Sequence, residues 1–149
     1  MALTEIVSCI QNNYRKSTFD INTVHCTIGQ SPTHSRTLVK REYKCSIHDL
    51  LEIVRVAAAL ERLADGDEID LLYSEVGFVS CKTLRDAFHR RLDCPPSQCR
   101  LLLLEAKDTA HEIERLRRIF CLNDRIYTFV EGAVEPRRYK RKYENRNRT

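Results

Sequence analysis

Residues 46–66 constrain the fold more than any other stretch. Ser46 precedes Asp49 by three positions, which places an N-cap hydroxyl with a carboxylate at N3, a variant of the capping box. Behind it Ile47, Leu50, Leu51, Ile53, Val54, Ala57, Ala58 and Leu60 recur at helical spacing, and Gly66 lies just beyond as a stop. The pattern predicts one long helix over 47–63. Its apolar run Val56–Leu60 is the longest in the chain and far too short to span a bilayer, so no membrane partner is expected.

Around this helix the apolar spacing varies. Leu3, Ile6, Val7, Ile10 and Tyr14 predict an amphipathic helix at the N-terminus. Residues 19–28 and 36–45 are rich in β-branched and aromatic types and alternate, with Gly29-Gln30-Ser31-Pro32 between them. That reads as a β-hairpin or two neighbouring strands. Asp67 and Ser80 mark short helices over 68–75 and 81–92. Pro95-Pro96 forces a break, Ser97 opens a long helix over 98–121, and 125–131 reads as a late strand. The expected class is α+β: a small helical domain with a β-hairpin near the N-terminus and a late short strand. One globular domain is expected over 1–135, with a basic, disordered tail over 136–149.

Charge separates these two parts. The chain nets +4, yet residues 137–149 hold seven cations against the single anion Glu144, so residues 1–136 net about −2. Arg137, Arg138, Lys140, Arg141 and Lys142 form a dense cationic run with Tyr139 and Tyr143 among them. Such runs meet polyanions or import receptors, and aromatic rings can stack on unpaired bases while cations neutralise phosphate. Lys82, Arg85 and Arg90, with His89 and Arg91 beside them, give a second basic patch on the 81–92 helix.

Seven cysteines at irregular spacing, behind an N-terminus that does not read as a signal peptide, point to reduced thiols and to the nucleus or cytoplasm. No cofactor is expected. Cys45, His48, Cys94 and Cys99 are the only set whose spacing approaches a structural zinc site, and no paired CxxC knuckle supports it. Catalysis lacks a constellation. Cys45, His48 and Asp49 are too close in sequence to imply a triad, and His111-Glu112 begins a HExxH pattern that Arg115 breaks. With four glycines in all, no phosphate-cradling loop is present.

These residues point to a non-enzymatic accessory or regulatory protein, such as a virus might encode. It would bind nucleic acid, RNA before DNA, through the tail and the 82–91 patch. No stretch reads as an RNA-recognition, zinc-finger or helix-turn-helix pattern. The alternative is an adaptor whose 98–121 helix docks a partner while the tail serves only nuclear import. In that helix Leu102, Ala106, Ile113, Leu116 and Phe120 form a four-three stripe that also allows a homodimer.

Overall fold

The computed structural model describes residues 2–29 and 31–136, without the side chains of residues 2 and 25–28. It is helical throughout: α1 (Ala2–Asn13), α2 (Ile21–Ile28), α3 (Pro32–Tyr43), α4 (Ile47–Ala64), α5 (Ile69–Leu72), α6 (Cys81–Leu92), α7 (Pro96–Glu105), α8 (Thr109–Phe120) and α9 (Asp124–Ala133). No helix is long and apolar enough to cross a membrane among these residues.

The α4 helix is the axis. Ser46 accepts a hydrogen bond from the Asp49 N–H at 3.0 Å, which starts the helix where the sequence places its cap. Residues on every side of α4 are buried, from Ile47 and Leu50 through Ala57 and Ala59 to Leu63. A helix apolar around most of its circumference belongs in the core. Accordingly α3 and α5 through α9 all pack against it. Its end is a Schellman motif, with Asp67 N–H donating to the Arg62 carbonyl and Gly66 N–H to the Leu63 carbonyl.

The α+β expectation is overturned, because the described residues contain no strand. The hairpin segments are α2 and α3, and 125–131 lies within α9. In each case local capping and packing outweigh β-branched composition. Asp20 caps α2 by accepting from Thr23 N–H at 3.0 Å. Ser31 caps α3 by accepting from His34 N–H at 3.2 Å, and Pro32 occupies its first turn. Asn123 caps α9 by accepting from Ile126 N–H at 2.9 Å. The buried positions then follow helical spacing: Ser35, Val39 and Tyr43 in α3, and Ile126, Phe129 and Val130 in α9.

The expected 98–121 helix is two helices. Asp108 accepts from His111 N–H at 3.1 Å and restarts the chain as α8 after a break at Ala106. This division undoes the proposed seam. Ile113, Leu116 and Phe120 of α8 are buried within the chain's own core, whereas Leu102 of α7 is exposed. The five residues share no continuous outer face.

Candidate nucleic-acid interface

Two helix pairs flank α4. In the first, α2 and α3 are joined through residues 29–31, where Gly29 takes a positive φ of 66° and Ser31 caps the second helix. In the second, α5 and α6 are joined through residues 73–80, and Ser80 caps α6 with a capping box completed by Thr83. Both pairs place a twelve-residue helix after the turn, with one face on the core and the other outward.

Arg55 of α4 and Gly77 lock the second turn against the first pair's entry. The Arg55 guanidinium donates to the Tyr14 carbonyl at 2.8 Å, the Lys16 carbonyl at 3.0 Å and the Phe19 carbonyl at 2.8 Å. Burial pulls the Arg55 pKa below its ordinary value, while Asp20 and Glu52 oppose the shift. Gly77 sits on this cluster at φ 101°, where a Cβ would lie 2.2 Å from the Tyr14 oxygen and 2.5 Å from Arg55 Nε. Only glycine fits there.

The outward faces of α3 and α6 differ in charge. On α3, Arg36, Lys40 and Arg41 are exposed and make no ion pair among the described residues, and Thr33, His34 and Thr37 are exposed beside them. Its one acid, Glu42, is paired with Arg125 of α9. A groove of about 570 Å³ runs along this face, lined by Ile21, Ile47 and the three cations.

On α6, most of the predicted cations are already engaged. Lys82 pairs with Asp86 at 3.0 Å. Arg90 donates to both oxygens of Glu52, at 3.1 and 2.7 Å. Arg91 donates to Glu52 at 2.9 Å and to Asp49 at 2.9 Å. Burial pushes the Glu52 carboxyl upward, but the hydrogen bond from Arg90 and the charges of both arginines outweigh it and hold it low. Asp49 is likewise lowered, Arg91 and Ser46 outweighing burial. Arg85 and His89 are left exposed without an ion pair among the described residues.

These two surfaces correct the reading of site residues. The 82–91 segment is on one helix as expected, yet only Arg85 of Lys82, Arg85 and Arg90 is uncommitted. The α3 cations escaped notice because the strand reading put alternate residues of 36–45 on opposite faces. The telling signal was Ser31-Pro32, a cap followed by proline in the first helical turn. The tail residues Arg137, Arg138, Tyr139, Lys140, Arg141, Lys142 and Tyr143 lie outside the described residues.

The zinc alternative finds no site: no three described His, Cys, Asp or Glu side chains gather to hold a metal ion. Cys45 is buried and its thiol is pushed up to about 11 by burial and by Asp49. It is therefore a protonated packing residue and a poor nucleophile or ligand. Cys99 is fully buried and is raised further, by burial and by the Cys94 thiol.

A family model described as a helix-turn-helix domain matches residues 27–101, half of the chain, from the end of α2 into α7. The chain belongs to the helix-turn-helix domain family. Helix-turn-helix units dock on nucleic acid with the second helix of the pair, and that helix is α3 in the first pair and α6 in the second. A helix-turn-helix domain is a nucleic-acid-binding, regulatory type of domain and not typically an enzymatic one. It lends nothing to an RNA target, a viral source, an import receptor or a dimer. No curated protein matches the chain.

Proposed function

We propose that this helix-turn-helix protein is a DNA-binding regulator that reads duplex DNA through α3 and α6. The observation that carries this is the family match, which spans all of α3 through α6, together with the outward face of α3. A capped helix there presents Arg36, Lys40 and Arg41 without an ion pair among the described residues. Arginine and lysine on such a helix can bond guanine edges or phosphates, and the neighbouring Thr33, His34 and Thr37 supply shorter donors and acceptors. From α6, Thr83, Arg85 and His89 extend the same surface. Duplex DNA is preferred over RNA because the A-form major groove is too deep and narrow for side chains to read.

The tail adds an electrostatic arm in this reading. Arg137, Arg138, Lys140, Arg141 and Lys142 would neutralise phosphates without reading sequence, raising affinity for any duplex.

The test is selection from a random duplex library, followed by titration of the selected site and a scrambled one across a salt series. Full-length protein is expected to prefer its selected site. Replacing Arg36, Lys40 and Arg41 together by alanine should flatten the dependence of log K on log salt by up to about 2.7, which is about 0.9 for each phosphate no longer neutralised. Replacing the five tail cations by glutamine should weaken both duplexes alike. Equal binding of single-stranded RNA and every duplex would overturn the proposal.

A further inference from the structure

The second recognition helix carries more cations than it can offer. Two consecutive arginines, Arg90 and Arg91, are gripped by two carboxylates one turn apart on α4, Asp49 and Glu52. Glu52 is the hub: it is buried at 7% exposure and accepts three hydrogen bonds from the two guanidiniums. Arg90 itself is far from buried, with 58% of its side chain exposed. An exposed arginine on a helix that faces DNA would ordinarily serve as a phosphate contact. Here a buried carboxylate holds its Nε–Nη2 edge in a bidentate pair and neutralises its charge.

We propose that Glu52 is a specificity-determining positioning residue, which orients α6 on α4 and withholds Arg90 from DNA phosphate. The inference rests on the DNA-binding reading above. Phosphate contacts add affinity to every sequence equally, so a withheld cation lowers non-specific binding and leaves base reading to Arg85, Thr83 and His89. The contrast with α3, whose three cations meet no such acid, makes α6 the helix of lower non-specific charge.

The experiment is a double-mutant cycle in the full chain: Glu52→Gln, Arg90→Gln and both, each titrated with specific and scrambled duplexes between 50 and 200 mM salt. Glu52→Gln keeps the side-chain shape and removes the charge. Released, Arg90 should gain one phosphate, so affinity for scrambled duplex falls by about a further three- to fourfold over that range compared with wild type. The ratio of specific to non-specific affinity should drop. Arg90→Gln alone should leave the salt slope unchanged, and the double variant should return to the wild-type slope.

A merely structural role for Glu52 would weaken both duplexes and steepen neither. That result overturns the inference, as does a slope shallower by about 0.9 in Arg90→Gln, which would place Arg90 on phosphate already. Arg90→Gln changes a half-solvated side chain and decides the matter even if Glu52→Gln does not fold. Absence of duplex binding by the wild-type chain would sink the DNA reading itself. An unchanged slope in Glu52→Gln, with wild-type binding intact, would sink only this inference.

Discussion

The two helix pairs of this protein, α2–α3 and α5–α6, are built alike and held differently. The first ends in a helix whose outer cations make no ion pair among the described residues and whose turn glycine, with a Cβ added, would meet no described atom within 4 Å. The second ends in a helix pinned by carboxylates from α4, and its turn glycine is wedged against Arg55 and a backbone oxygen. The first is therefore the unit whose outward cations are unpaired among the described residues, and the second the unit whose cations are mostly paired. The difference lies in α4, whose Asp49 and Glu52 pair with α6 and whose Arg55 lies against the second turn's Gly77, while no described ion pair joins α4 to α3.

The largest expected effect tests the packing of the second helix. Phe88→Ala empties a fully buried site on α6 and should cost about 3–5 kcal/mol in urea unfolding, whereas Val39→Ala on α3 should cost about 2. Equal losses would mean that the two helices share one level of burial energy.

Next come the turns. Gly77→Ala adds a Cβ into the Tyr14 oxygen at a positive φ and should cost about 3 kcal/mol. Gly29→Ala, strained but unobstructed, should cost about 1 kcal/mol by the same measurement. A Gly29 loss as large as that of Gly77 would break the distinction between a loose turn and a wedged one.

The caps should separate less. Ser80→Ala removes the cap hydroxyl of a reciprocal capping box and should lower stability by about 1–2 kcal/mol, with Ser31→Ala near 1.

The smallest effect is in acid. Glu52 and Asp49 have pKa values lowered in the folded chain, so their contribution is present above the unfolded carboxylate range of about 4. It is lost as pH falls through the folded values. Amide exchange in α6 should therefore accelerate below about pH 4 before that in α3, and Glu52→Gln should remove part of this pH dependence. Simultaneous loosening of both helices would show that the carboxylate clamp does not set their difference.

Some of this was legible in the residues. The α4 helix announced itself through Ser46, Asp49 and an apolar face, and α6 through Ser80 with Leu84, Phe88 and Leu92. The helix-turn-helix arrangement did not, because Ile21, Thr23, Val24, Thr27 and Ile28 satisfy a strand's composition as well as a helix's period. An Asp20 cap and a contact with α1 decide between the two. The Arg90 patch misled for a related reason: a cation's availability depends on what the neighbouring helix sends toward it.

By itself, then, the sequence determined where α4 and α6 begin and end, since caps and apolar period act within a few residues. It also determined that a cationic run stands apart from a nearly neutral body. Only the tertiary structure decided that 21–28 and 32–43 are helical and which described arginines lack an ion pair. Both depend on groups far along the chain: α1 packed on α2 and α3, and Glu52 held to Arg90 across 38 positions. Burial and pairing at that range are properties of the packed chain, which no local spacing encodes.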